Sequence, residues 1–261
     1  MDKQSSFDPQ QLPRHIAIVM DGNGRWAESR MHRRIFGHIR GATRIRPIVE
    51  EASRLGVSAL TFFAFSTENW NRPEAEREVL WKLLKKFLKK EEETLKKNNI
   101  CFRVLGEIDR LGGDVRSVLA PAMHRLSKNT GLKLNFAVSY GSRRELARAA
   151  RLFAEDCLKG KAHPSDMTEA FFSKYLWTAD LNELSDVDLV VRTSGEKRVS
   201  NFLLWQAAYA EYVFQDLSWP EFQPCHLRGA IEEYMRRDRR FGEVKRQETP
   251  KSIVSDSPSL E

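Results

Sequence analysis

The sequence predicts an α/β domain with a mainly parallel central sheet flanked by helices, and three observations carry that prediction. Short apolar, β-branched runs recur along the chain, the stretches between them have helical spacing, and polar glycine-containing strings directly follow several of the runs. The runs are 15–21 (His-Ile-Ala-Ile-Val-Met-Asp), 59–66 (Ala-Leu-Thr-Phe-Phe-Ala-Phe-Ser), 101–105, 133–139 and 187–193. Their near-continuous apolarity is what strands covered on both faces require. Between them, Val79, Leu80, Leu83, Leu84, Phe87 and Leu88 share one helical face, with charges on the other. Gly56 is placed to end a helix begun after Gly41, and Pro47 within that span predicts a kink or a late start. In Lys82–Lys97, basic residues interleave with Glu91, Glu92 and Glu93, and the i,i+4 pairs Glu92–Lys96 and Glu93–Lys97 mark a solvated helix face.

A chain of 261 residues that is 41% hydrophobic can bury one substantial core. The expected organisation is a mobile N-terminal tail at 1–13, one domain at 14–242, and a mobile C-terminal tail at 243–261, rich in Ser, Pro and charge. Cys101, Cys157 and Cys225 match no zinc or redox spacing and read as reduced and structural. No run approaches eighteen apolar residues and the start is polar, so a cytoplasmic protein is expected. The net charge of +7 and pI near 9.4 call for an anionic partner: nucleic acid, an anionic membrane surface, or phosphorylated small molecules.

In an open parallel sheet, ligands collect beyond the carboxyl ends of the strands, so the strings after the runs matter most. The first is Asp21-Gly22-Asn23-Gly24-Arg25-Trp26, where glycines let backbone amides face a ligand, Arg25 offers a forked cation and Asp21 could hold magnesium. It also reads as an ordinary strand-ending turn, and it is neither a Walker A loop nor the dinucleotide glycine fingerprint. Arg33, Arg34 and His38 follow around Phe36-Gly37-His38, an anion-facing helix start. Ser66-Thr67-Glu68-Asn69-Trp70-Asn71-Arg72-Pro73 could close over a substrate, with Ser66 or Asn69 reaching a phosphate or a proton in transfer, or could be a helix-entry turn. After the run ending near 193, Arg192, Arg198 and Ser200 suit a diphosphate clamp. Glu211, inside the apolar stretch 205–214, is either an exposed position or a carboxylate compensated by metal or arginine.

Together, 15–26, Phe36-Gly37-His38, 66–73, 192–206 and Arg239-Arg240-Phe241-Gly242 resemble the cis-prenyltransferase family of the bacterial undecaprenyl diphosphate synthase kind, from about residue 14 to 242. The resemblance implies a hydrophobic tunnel between sheet and helices, with the helix around Leu80–Leu88 as its wall. It implies Asp21 as the central catalytic carboxylate and Asn69 as an aid to proton removal. Gly22, Asn23, Gly24, Arg25, Trp26, Arg34 and His38 would form the allylic diphosphate cradle, and Ser66, Thr67, Glu68, Trp70 and Arg72 a mobile substrate loop. Arg192, Arg198, Val199 and Ser200 would hold isopentenyl diphosphate, and Mg2+ would sit with Asp21 and Glu211. The implied reaction extends farnesyl diphosphate to undecaprenyl diphosphate, the lipid carrier precursor for cell-wall synthesis. A homodimer, and peripheral contact with the inner membrane face for product release, are implied as well.

Two positions depart from the family's common wording: Ser142 and Ser194 stand where glycine is frequent, and only slight local adjustment is expected. The trans-prenyl signature Asp-Asp-x-x-Asp does not occur. A nucleotide-hydrolysing α/β protein would suit the glycine loops but lacks its Walker lysine. A nucleic-acid module would suit the charge, yet the basic residues lie beside carboxylates that repel a phosphate backbone. A non-catalytic partner subunit would not need Asp21, Arg25, His38, Arg192, Arg198 and Glu211 together.

Overall fold

In the computed structural model, residues 7–237 are described, and they form six parallel strands with helices packed on the sheet. The elements run β1 (His15–Val19), α1 (Asn23–Glu28), α2 (Arg34–Leu55), β2 (Ala59–Ser66), α3 (Glu74–Lys97), β3 (Cys101–Leu105), α4 (Gly113–Leu126), β4 (Lys133–Tyr140), α5 (Ser142–Leu158), α6 (Glu169–Ser173), β5 (Leu189–Arg192), β6 (Glu211–Phe214) and α7 (Pro224–Arg236). Sheet order is β3-β4-β2-β1-β5-β6. The chain leaves β1 toward β2 and leaves β5 toward β6, so a topological switch point lies between the two neighbours β1 and β5.

Strand alternation builds the core. Ile16 and Ile18 of β1 pack into a cluster with residues of α2, α3, α4 and α7, whereas Ala17 and Val19 turn to a second cluster containing Tyr140, Phe202 and Leu203. Between Phe63 and Phe65 of β2 the register with β4 shifts, because Phe63 faces Ala137 while Phe65 faces Val138. A bulge of this kind re-aims side chains, and here consecutive residues Phe63, Ala64 and Phe65 all reach one cavity.

Several expectations are corrected. Helix α2 begins at Arg34, ahead of Gly41, and continues through Pro47; Gly56 ends it as expected. Glu91 is buried at 5% exposure between α2 and α3, and Glu92 pairs with Arg125 of α4, so the charged run of α3 is only partly a solvated face. Phe7 packs on the core and Leu12 lies within it, so residues 7–13 are not a loose tail. Strand β6 is not among the predicted runs: four residues with one buried position carry too weak a periodicity to be read as a strand. The cysteines are all free, but Cys225 is exposed and supports no core. Arg239-Arg240-Phe241-Gly242 and the segment 243–261 lie outside the described residues.

Candidate functional site

The loops after β1 and β5 meet at the switch point. Asp21, just beyond β1, is held at that place by its own backbone: its N–H donates to Thr193 Oγ1 (3.0 Å), and the Thr193 hydroxyl donates to the Asp21 carbonyl (2.8 Å). The Asp21 carboxylate accepts from Arg192 Nη2 at 2.9 Å and from the Gly22 N–H at 2.7 Å, with Arg25 at 3.7 Å. Burial works to raise its pKa, but the Arg192 hydrogen bond, the Gly22 amide and the two arginine charges outweigh it and hold the carboxyl below its usual range. Gly22 caps α1 at φ 90°, and a Cβ there would lie 2.7 Å from both the Ser194 and Ser218 hydroxyls, so only glycine fits.

Arg192 is 3% exposed and organises the second loop. Besides Asp21 it donates to Ser200 Oγ at 2.7 Å and to the Arg198 carbonyl. Ser200, Asn201 and Leu203 all have φ between 47° and 58°, a cluster of left-handed non-glycine residues of the kind found at ligand sites. Arg198 itself is exposed and pairs with Glu196, which also reaches Arg25 at 2.9 Å. Val199 is half-buried on this loop. Of the two departures, Ser194 adopts φ 81°, where glycine would be unstrained, and the Ser142 hydroxyl accepts from the Leu204 N–H at 2.9 Å.

The third wall is α2 with the loop after β2. Arg34 Nη1 donates to both carboxylate oxygens of Glu28 at 3.0 Å, and the guanidinium lies over Gly24. His38 Nε2 is 3.2 Å from Glu76, which also takes a hydrogen bond from Arg72 at 3.1 Å. Burial first, then the neighbouring Arg72 charge, lower the His38 pKa against the pull of Glu76, so its ring favours the neutral form. Residues Thr67–Asn71 form a short 3-10 turn: Asn69 Oδ1 accepts from the Ser66 N–H at 3.1 Å in a reciprocal capping box. Trp70 donates to Ser139 Oγ at 2.9 Å, and Glu68 accepts from Asn201 Nδ2 at 3.0 Å, tying this turn to the second loop.

A cavity of about 190 Å³ joins the loop after β1 and the start of α2 to an apolar channel, while Arg192, Arg198, Val199 and Ser200 lie outside its lining. Its polar end is lined by Asp21 to Arg25, Arg34, His38, Asn69 and Arg72. The other end runs between β2 and β4 on one side and α2 and α3 on the other, lined by Ala64, Leu80, Leu83, Leu84, Phe87 and Phe136 among others. Asn23 lines the polar end, but its amide nitrogen is spent on the Met20 carbonyl (2.9 Å). Trp26 lines a separate outer pocket and stacks on Phe36.

Glu211 is not brought to this cavity. It starts β6 opposite Leu189, at the amino end of the sheet, whereas Asp21 lies past the carboxyl end, and its carboxylate is paired with Arg237 at 2.7 Å. Among the described residues no three His, Cys, Asp or Glu side chains gather into a metal cage. The donor set that is present, one ionised partly exposed carboxylate beside Arg192 and Arg25, fits Mg2+ carried in on substrate phosphates, the usual mode for that ion. Glu76, Glu196, Thr193 and Asn201 were missed as site residues in the sequence. Thr193, Glu196 and Asn201 stood inside a recognised string, whereas Glu76 offered only an acid in a first helical turn.

A switch-point cleft with a cationic end and an apolar channel defines a phosphate-handling α/β enzyme whose substrate has a long apolar part. Residues 19–242 match the prenyltransferase family model described for undecaprenyl diphosphate synthase. The chain is 49% identical over 239 residues to an isoprenyl transferase of Geobacter sulfurreducens, covering 92% of this chain and 96% of that one. It is 46% identical to an isoprenyl transferase of Streptococcus pyogenes, covering 89% and 94%. The lavandulyl diphosphate synthase of Lavandula x intermedia, solved with dimethylallyl diphosphate, superposes with a TM-score of 0.87 at 33% identity, over 90% of this chain and all of that one. An undecaprenyl diphosphate synthase-type structure from Campylobacter jejuni gives 0.71 at 33% identity, over 88% and 98%. The chain belongs to the cis-prenyltransferase family of isoprenyl transferases. No helix among the described residues is long and apolar enough to cross a membrane.

Proposed function

We propose that this isoprenyl transferase condenses isopentenyl diphosphate with farnesyl diphosphate, repeatedly, to give a polyprenyl diphosphate of the undecaprenyl class. The observation that carries the reading is the continuity of one cavity from the arginines Arg25 and Arg34 and the neutral His38 to the apolar wall of α3. The allylic diphosphate lies at the cationic end and its hydrocarbon along Leu80, Leu84 and Phe87. Isopentenyl diphosphate takes the loop of Arg198, Val199 and Ser200, which Arg192 fastens beside Asp21.

Breaking the allylic carbon–oxygen bond leaves positive charge on the allyl group and negative charge on the departing diphosphate. The arginines stabilise the second, the step in which a preorganised cation contributes most. The isopentenyl double bond then attacks and the proton lost passes to an oxygen of the released diphosphate, with Asn69 of the turn after β2 assisting its removal by orienting the groups involved. Asp21 would hold Mg2+ brought in with the substrate diphosphate, and the ion would supply Lewis-acid neutralisation of the leaving group. Assembly as a homodimer and a role in making the cell-wall lipid carrier belong to the same reading.

Incubation with farnesyl diphosphate, labelled isopentenyl diphosphate and magnesium, followed by chain-length analysis, tests it. Long labelled polyprenols are expected, with extension abolished by excess chelator and restored by magnesium. A product arrested after one condensation, or full turnover in chelator, overturns the corresponding part.

A further inference from the structure

The strained loop after β5 is moulded onto the amino end of α5. Ser200, Asn201 and Leu203 hold φ 53°, 58° and 47°, left-handed values that persist in non-glycine residues only where neighbours over-determine them. Those neighbours are the first residues of α5. The Ser142 N–H donates to the Asn201 carbonyl at 2.8 Å, and the Arg143 N–H donates to Asn201 Oδ1 at 2.8 Å. Asn201 thereby satisfies two of the amide donors that a helix start leaves without partners, a task for which Gly141 at the N-cap has no side chain. In the other direction, Ser142 Oγ accepts from the Leu204 N–H at 2.9 Å, and Gln206 Nε2 donates to the buried Glu145 carboxylate of α5 at 3.2 and 3.3 Å.

The amide nitrogen of Asn201 faces the turn after β2, where Nδ2 donates to Glu68 Oε1 at 3.0 Å. Burial works to raise the Glu68 pKa, but the Asn201 amide and donors within the turn outweigh it and keep the group a carboxylate. The Asn201 amide therefore has one orientation, because the Arg143 N–H only donates and the Glu68 carboxylate only accepts. The junction is tight: a Cβ on Gly141 would lie 2.4 Å from Thr67 Oγ1 and 2.9 Å from Asn201 Nδ2. One side chain thus joins the loop after β5, the start of α5 and the turn after β2.

We propose that Asn201 is the positioning residue that sets the isopentenyl diphosphate loop and couples it to the turn after β2; the role rests on the assignment of Arg198, Val199 and Ser200 to that substrate. Ser200 directly precedes Asn201 and its hydroxyl receives Arg192, so a shift at 201 is passed to the diphosphate contacts. Through Glu68 the same shift is passed to the turn that carries Asn69.

Steady-state kinetics of three variants test this. Asn201→Asp keeps an acceptor for Arg143 and a residue type that tolerates the left-handed φ, but sets a second carboxylate against Glu68. It is expected to raise the KM for isopentenyl diphosphate about ten-fold, the scale of one charge-assisted hydrogen bond, while affinity for farnesyl diphosphate alone changes by less than about two-fold. The double variant Asn201→Asp/Glu68→Gln has the net charge of the unaltered chain, and the amide placed at 68 can donate to the carboxylate placed at 201. It is expected to recover most of the loss; a KM that stays raised overturns the coupling and leaves only a local charge effect. Asn201→Gly adopts the same φ without strain and removes both side-chain contacts. It is expected to raise the same KM at least as far, with the fold intact by circular dichroism. An unchanged KM in this variant overturns the role of Asn201 even where the aspartate variant fails to fold, and so does an effect confined to farnesyl diphosphate. Extension by the unaltered chain is measured alongside. If it extends no farnesyl diphosphate, the substrate assignment fails and this role with it; if it extends normally and the variants match it, only the role of Asn201 fails.

Discussion

Arg192 and Asp21 form a pair whose members sit in different solvents. The arginine is 3% exposed, whereas the Asp21 side chain keeps 30% of its surface. Asp21→Ala is therefore expected to do two things. It should slow single-turnover extension by at least ~10²-fold, the scale of one lost electrostatic stabiliser. It should also cost about 1–3 kcal/mol of stability by stripping a buried guanidinium of its carboxylate. Single-turnover kinetics and urea denaturation check the two halves. Near-normal kinetics would remove Asp21 from the chemistry. Exposed Arg198 is different: Arg198→Ala should mainly raise the KM for isopentenyl diphosphate, about ten-fold or more for one charge-assisted contact. Arg192→Ala should depress kcat as well, because Arg192 also positions Asp21.

His15 supplies a pH prediction at the same scale. Its ring is fully buried, with Nδ1 2.9 Å from the Leu184 carbonyl and Nε2 2.7 Å from Thr61 Oγ1; the neutral Nδ1–H tautomer satisfies both. Burial lowers its pKa from 6.5 to about 4. Between those values the unfolded chain takes up a proton that the folded chain refuses, so stability falls as pH drops through 6.5 and levels off below 4. About 2 kcal/mol should be lost between pH 7 and 5, read as a shift in urea midpoint, and His15→Gln should flatten that dependence.

At the scale of elements, α1 and α2 cross so closely that Gly37 lies directly on the Asn23 backbone carbonyl, and a Cβ at 37 would collide with it. Gly37→Ala must push α2 off α1, moving Arg34 and His38 away from the loop of Gly22 to Arg25. The expected result is a folded protein with the KM for the allylic diphosphate raised ten-fold or more, of the order of one lost charge-assisted hydrogen bond. Titration with farnesyl diphosphate checks it; an unchanged affinity would mean that the cradle does not depend on this crossing. The turn after β2 shows the same dependence on contacts between elements. Asn69 caps its own turn through Ser66, yet the turn is positioned by Trp70 on Ser139 and by Glu68 on Asn201, from β4 and from the loop after β5.

For the whole molecule, the parallel order β3-β4-β2-β1-β5-β6 gathers the polar strings at one end of the sheet, and the bulge in β2 directs Ala64 into the channel facing α3. A methyl group there leaves room for a growing chain. Ala64→Leu adds three carbons to the channel wall and should shorten the main product while sparing the first condensations. Chain-length analysis of labelled lipid checks it, and an unchanged product distribution would move the length-limiting point elsewhere along the channel.

The buried runs at 15–21, 59–66, 101–105 and 133–139 announced five-sixths of the sheet together with 187–193, because strands covered on both faces must be apolar throughout and stand out against amphipathic helices. The strings after those runs pointed to Asp21, Arg25, Arg192 and Ser200, which the fold does gather at one end of the sheet, for a related reason: glycine, arginine and carboxylate side by side have little use in a core. Short edge strand β6 was hidden by its length, and α2 began earlier than its glycine and proline suggested because tertiary packing against α1 overrides local preference. What only the tertiary structure decided is who stands beside whom. Arg192 reaches across 171 residues to Asp21, Glu76 joins His38 to Arg72, and Glu211 is carried to the far end of the sheet with Arg237. Each of these is a long-range pairing fixed by strand order and crossover, and a one-dimensional pattern records residue types and spacing without recording which strand lies next to which.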